Sequence, residues 1–306
     1  MMSKQILKTT LSVQGLSYTD TFTFKCGNSV PVYEVTTMHA LNQIIGYAKF
    51  INKEYGDVYY RGECNLHSGL IPSLFRGCRG TTKWNLVSPL VTKIIKDPNM
   101  FNAINVGVDI KRARHKVEGL LQHYGVQTRY IDLVDNHWIA LWMGLYECHK
   151  AKRIESYYHY CRRCVDALDA FDGKKHVEED LYQYILLLAI PRPDDSYEGI
   201  EISSGYILVD LRQALPSVFL RPHSQHGLVV RKKPVMNNLA EGYDLATEVI
   251  GILKIRIDRV SLWLGHGDLV SQENLFPSPM NDYGYDLLLS LPKDYFPDNY
   301  GIAKYV

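Results

Sequence analysis

Residues 59–77 read YYRGECNLHSGLIPSLFRG and hold two Arg-Gly pairs, Arg61-Gly62 and Arg76-Gly77, each preceded by an aromatic residue. Arg61 follows Val58, Tyr59 and Tyr60, a β-branched and aromatic run that predicts a strand. A guanidinium among apolar neighbours needs an anionic partner to offset its desolvation, so an anion is the first expectation for Arg61. Two sources fit: a bound ligand, or a carboxylate of the chain itself. The glycine that follows removes a side chain, which lets a ligand or a second backbone segment approach closely.

Upstream, residues 6–33 alternate apolar and polar positions with turn signals at Gly15 and Cys26-Gly27-Asn28, which predicts a β-rich lead-in over residues 1–36. From Thr37 the spacing becomes helical, with Met38, Leu41, Ile44, Ile45, Ala48 and Ile51 on one face. Downstream, a helix is expected from about Leu86 and another over 109–123, where Val108, Ala113, Val117, Leu120 and Leu121 recur at helical spacing. Its other face carries the run KRARHK, residues 111–116, which reads as a solvated face or as phosphate contacts. Residues 138–146, WIALWMGLY, are apolar all round and predict a buried helix.

Residues 148–188 read as further helices, with a break at Asp172-Gly173-Lys174-Lys175, and residues 205–210, 227–230 and 249–257 as strands. Helices and strands interleave without a βαβ rhythm, so the expected class is α+β, with a main domain over 37–306 and a helical insertion at about 148–188.

Bulk properties narrow the partners. Net charge is +1 over 306 residues, so any nucleic-acid contact must come from a local basic patch. Such patches are the run at 111–116, Arg162-Arg163 and Arg231-Lys232-Lys233. Twenty-two tyrosines suit half-buried strands or a groove in which rings stack on bases. The first residues lack an apolar run of signal-peptide length, and no stretch reaches the roughly eighteen apolar residues of a membrane span, so a cytoplasmic setting is expected. Cys161-x-x-Cys164, with Cys148, His149 and His159 nearby, has the residue types of a zinc site, but the segment reads as one helix and no second paired-ligand motif completes it. No metal is expected.

Walker, Rossmann, zinc-helix and nucleophile-elbow motifs are absent from the sequence. What stands out instead is a set of polar clusters inside apolar sequence: Tyr60-Arg61-Gly62, Phe75-Arg76-Gly77, Gln122-His123-Tyr124-Gly125, Thr128-Arg129-Tyr130-Ile131-Asp132 and Ser224-Gln225-His226-Gly227. Buried without partners these groups are costly, so they must satisfy one another or line a polar cleft.

In this order, YRG, PSLFRG, QHYGVQTRYIDL with an Ala-Leu-Trp-Met helix after it, SQHG and ENLFP resemble the FRG domain family over roughly residues 59–285. Leu133-Val134 departs from the Trp-Thr that the family tends to carry after its aspartate. The arrangement of a Tyr-Arg-Gly strand, a Thr-bearing strand before an Ala-x-x-aromatic helix, and a late polar strand is similar to that of ADP-ribosyltransferases.

That resemblance implies a split, mixed or antiparallel β core with surrounding helices, and NAD as a substrate. Arg61 and Gly62 would meet the NAD phosphate or ribose, and Arg76 would brace the loop or meet a second phosphate. Thr128, Arg129 and Asp132 would line the ribose pocket, Tyr124 would stack on nicotinamide, and Gln225 would orient a ribose hydroxyl. An amide is no base, so His123, His223 or His226 would move the proton. Asp132 serves equally well as a structural partner of Arg61, and Arg129 as that of another carboxylate. The implied role is an intracellular toxin or defence effector that modifies nucleic acid or protein and has a neutralising partner. A non-catalytic nucleotide- or partner-binding module and an NAD glycohydrolase are the alternatives. A metal-dependent nuclease would need clustered carboxylates, of which Asp132-x-x-Asp135 is the pair nearest these blocks.

Overall fold

In a computed structural model, residues 3–76, 84–105, 109–152, 156–164, 181–233, 241–297 and 301–305 are described. Gly77, Val108 and the break expected at 172–175 lie outside them. The architecture is α+β. One sheet has ten strands in the order β1-β2-β12-β7-β3-β4-β11-β10-β9-β8. They are β1 (Leu16–Thr23), β2 (Ser29–Val35), β3 (Gly56–Glu63), β4 (Ile131–Val134), β7 (Tyr182–Pro191), β8 (Asp195–Tyr197), β9 (Ile200–Ile202), β10 (Tyr206–Asp210), β11 (Gly227–Lys232) and β12 (Val249–Arg256). Neighbours pair antiparallel except β2 and β12, which run parallel, so the sheet is mixed. The lead-in over 1–36 is therefore a hairpin at the end of the main sheet, stitched to it through β12.

The central strand β7, YQYILLLAIP, is buried along nearly its whole length, as a continuous apolar run between two covered faces must be. On one face lie helices α1 (Met38–Asn52) and α5 (His137–Leu145), whose Leu41, Ile44, Ala140 and Trp142 pack with Tyr60 and Leu187. Helices α2 (Trp84–Lys96), α3 (Pro98–Ile104) and α4 (Ile110–His123) form a second core with β10 and β11. Thr37 caps α1 and Asp109 caps α4 by accepting from main-chain N–H groups of the first turn.

One expectation is overturned. Where helices are expected over 148–188, the described residues form strands: β5 (Tyr146–Lys152) and β6 (Ser156–Arg162) make an antiparallel hairpin, and β7 follows. With β13 (Lys304–Tyr305), parallel to β6, the hairpin is a second sheet of three strands. The run SYYHYCR has the alternation and the tyrosine content of a strand, and pairing with β5 and β13 outweighs any local helical preference. The expected helices over 165–180 lie outside the described residues.

Candidate active site

Alternation along β3 decides which of its residues can meet a ligand. Val58 and Tyr60 pack into the core under α1 and α5, and Gly62 continues on that face. A Cβ placed on Gly62 would lie 1.9 Å from the carbonyl oxygen of Ala140, so glycine is required for α5 to rest on the strand. The close approach anticipated for this glycine is thus that of a second backbone segment. Arg61 and Glu63 share the opposite face and touch, Nε donating to Oε1 at 2.5 Å.

β3 pairs with β7 over eight residues but with β4 at one position, Tyr60 opposite Val134. Beyond it the two strands part. Arg61 bridges the opening, its Nη1 donating to the main-chain oxygen of Asp132 at 2.8 Å. Burial opposes the charge on Arg61, and the Glu63 and Asp132 carboxylates outweigh it, so the guanidinium pKa is raised.

A cavity of about 670 Å³ occupies the opening. Arg61, Gly62, Arg76, His123, Asp132 and Gln225 all reach its lining, so six of the eleven residues anticipated from sequence converge on one place. Asp132 is held on several sides. Gln122 Nε2 donates to its Oδ2 at 2.7 Å, and His123 Nδ1 stands 3.6 Å from its Oδ1. Burial raises the carboxyl pKa, but His123, Arg61 and Gln122 outweigh it, and the net shift is downward. The cavity thus presents a carboxylate that stays ionised.

Tyr124, Thr128, Arg129, His223 and His226, also anticipated, are not in its lining. Tyr124 is fully buried, donates its hydroxyl to Asp282 Oδ2 at 2.6 Å and packs against Tyr285 and Phe219. It cannot stack on a ligand. Thr128 is also fully buried and donates to Gln122 Oε1 at 2.7 Å, which fixes the amide that in turn holds Asp132. Its part is therefore indirect. Arg129 turns to Glu118, a wholly buried carboxylate that accepts from its Nε, its Nη2 and its main-chain N–H. That arginine is spent on the core.

His123 is 8% exposed and neither ring nitrogen has a hydrogen-bond partner. Its ring lies against Gly227, where a Cβ would come within 2.5 Å of Cε1, so that glycine makes room for the imidazole behind Asp132. Gln225 is 4% exposed and donates its amide to the Leu275 carbonyl at 2.6 Å. His226 points elsewhere, to Asp135 and Arg212. Asp135 is gripped by that same Arg212, so Asp132 and Asp135 belong to separate networks and do not form a carboxylate pair. Arg76 donates Nε to the Ile71 carbonyl, and burial together with the nearby Arg61 charge lowers its pKa.

Facing these polar groups is an aromatic wall absent from the anticipated set. Tyr158 and Tyr160 of β6, Tyr305 of β13 and Phe276 line the cavity. The Tyr160 and Phe276 rings are 4.6 Å apart, and Tyr160 and Tyr305 are parallel within 8° at 6.0 Å. Behind them Arg221, fully buried, lies 4.5 Å from the Tyr305 ring centre and 5.3 Å from that of Phe276, and so supports the wall from the rear.

The family model of the FRG domain matches residues 56–153, which span β3, the polar clusters of α4 and β4, and α5. Residues 56–153 are similar to an FRG domain, and the rest of the chain lies outside that match. Comparison with curated proteins and with solved structures gave no match. The FRG match contains Arg61, Arg76, His123 and Asp132, whereas Gln225, Phe276 and Tyr305 join the cavity from outside it. No described helix is long and apolar enough to cross a membrane.

Proposed function

We propose that this protein is an NAD-consuming ADP-ribosyltransferase acting in the cytoplasm, with the cavity between β3 and β4 as its donor site. One observation carries the proposal: two guanidinium groups, an ionised carboxylate and a wall of aromatic rings converge on a cavity of about 670 Å³. That volume is within the roughly 300–1,000 Å³ of small-molecule pockets. Each part meets a demand of the donor. Arg61 and Arg76 face the diphosphate, and Tyr158, Tyr160, Phe276 and Tyr305 offer surfaces for nicotinamide or adenine to stack upon. Asp132 accepts from ribose hydroxyls and opposes the positive charge that develops as the glycosidic bond breaks. His123, with one nitrogen towards Asp132 and its ring against Gly227, positions that carboxylate rather than serving as a base.

A non-catalytic nucleotide-binding module is the second reading. It is favoured by the internal ties of Arg61, which spends Nε on Glu63 and Nη1 on the Asp132 carbonyl. Release of nicotinamide from NAD by the purified protein, compared between wild type and Arg61→Ala, separates the two. Release that the variant loses supports catalysis. Binding of NAD without release, in a folded wild type, supports the module, and free ADP-ribose as the sole product identifies a glycohydrolase. The toxin or defence role predicts growth arrest on expression, relieved by Arg61→Ala.

A further inference from the structure

A transferase differs from a hydrolase in needing a second compartment that opens onto the bond being broken. Beside the donor cavity lies another of about 640 Å³, and the two share Glu63, His67 and Arg76 in their linings. The second cavity is built where the loop before the 3₁₀ turn Ser73–Phe75 crosses the β1–β2 end of the sheet. Lys25 N–H donates to the Ser68 carbonyl, and Asp244 accepts from Leu70 N–H, which closes its walls. Its floor is apolar, with Phe24, Leu70 and Leu186, and among the described residues its charged lining has the carboxylates Glu241, Asp244 and Glu63, the last paired with Arg61, beside Lys25 and Arg76.

Resting on the donor-site reading above, we infer that this second cavity is the acceptor compartment and that it receives a protein segment bearing a basic side chain. The carboxylates Glu241 and Asp244 and the apolar floor suit such a segment better than a phosphate backbone. Several of the basic residues that a nucleic acid would need are engaged within the fold. Arg112 pairs with Asp195, Lys116 with Glu198 and Lys232 with Glu248, while Arg114 donates to Ser88 and Thr92. Lys233 and Arg162 donate to the main-chain carbonyls of Ser203 and His266.

The reaction at the shared wall balances without a further reagent. A nitrogen of the acceptor side chain forms a bond to the anomeric carbon of the ribose, and the bond from that carbon to nicotinamide breaks, its electron pair leaving with neutral nicotinamide. The proton displaced from the acceptor nitrogen passes to Glu63, the carboxylate common to both cavities.

The test uses the full chain with NAD labelled in its adenylate half, an arginine-rich peptide, a lysine-rich peptide and total RNA as separate acceptors. Nicotinamide release is measured in the same tubes. Label on a basic peptide at least tenfold above RNA is expected. Ser68→Trp, which fills the second cavity from an exposed position, should lower peptide labelling relative to nicotinamide release by at least tenfold. Cys26→Trp, also exposed, repeats the block from the facing wall should the first variant misfold. Label on RNA, or an unaltered ratio in a folded variant, overturns the acceptor compartment and leaves the donor site standing. Absence of nicotinamide release from wild type overturns the donor reading and this inference with it.

Discussion

Arg129 and Arg61 lie on either side of the β3–β4 opening, each next to a tyrosine in the chain and each on a carboxylate, yet their surroundings differ. Arg129 meets Glu118 of α4, which is 0% exposed, with Tyr130 and Tyr243 nearby. Arg61 meets Glu63, which lines open space, and a main-chain carbonyl on the far strand. A closed pair has its energetic weight in the fold, because Glu118 alone would be a buried, uncompensated charge. An open pair has it in whatever enters. Stability should therefore depend on Glu118 and activity on Arg61.

The largest effect expected is on the closed side. Glu118→Leu removes the buried carboxylate that Arg129 meets and should lower unfolding free energy by about 3–5 kcal/mol in urea titration. A loss below about 1 kcal/mol would mean that Arg129 finds solvent or another acceptor, and the contrast with Arg61 would collapse.

The same closed region makes a pH prediction. His115 accepts or donates at 2.9 Å to the Tyr130 hydroxyl, and burial, then the Arg231 charge, push its pKa down to about 4. The unfolded chain takes up this proton first, near pH 6.5, so the stabilising contribution is complete above that pH and is lost as pH falls from about 6.5 to 4. The loss amounts to about 3 kcal/mol at most. Unfolding curves of wild type and His115→Gln across that window should converge towards low pH. Parallel curves would show that His115 is not held neutral.

On the open side, Arg61→Ala should cut nicotinamide release about 100-fold, equivalent to about 2.7 kcal/mol of activation free energy. Unfolding free energy should fall by no more than about 1 kcal/mol, since Glu63 retains access to water through the cavity. If stability fell as far as in Glu118→Leu while turnover held, the two arginines would have the same role.

How far the sequence reveals this contrast depends on the kind of information each residue carries. Periodicity locates α1 and α4 because the apolar faces of Leu41, Ile44 and Ile45, or of Val117, Leu120 and Leu121, have one reading, and all-round apolarity locates α5. Segment 146–162 was harder: its tyrosines and cysteines suit either period until β5 and β13 supply partners. Among the site residues, the five positions from Gln122 to Val126 hold a helix terminus, and one step along it moves a side chain from cavity to core. Hence His123 lines the cavity while Tyr124 is buried against Asp282. Glu63 was within reach, since a residue two places after Arg61 on a strand must share its face. Phe276 stood in the quoted ENLFP block without any signal of what it would pack against. Tyr305 was not accessible at all, because only the parallel pairing of β13 with β6 brings it to the wall.

A third arginine sharpens the comparison at the weak end. Arg112 sits on the outer face of α4, where its guanidinium reaches Asp195 at 2.9 Å and lies 4.5 Å from the Tyr197 ring centre. Both carboxylates near it, Asp109 and Asp195, are more than half exposed, so water and salt screen the pair. Arg112→Ala should change unfolding free energy by only about 0.2–1 kcal/mol, and that difference should shrink further in high salt. The same variant asks whether the run at 111–116 touches phosphate. If it does, RNA affinity should fall and the slope of affinity against salt should drop by roughly one unit. The Asp195 pair predicts no change in either quantity, because the arginine already has its anion within the fold. A changed slope would place Arg112 with the open arginine, and with it the case for a protein acceptor in the second cavity would weaken.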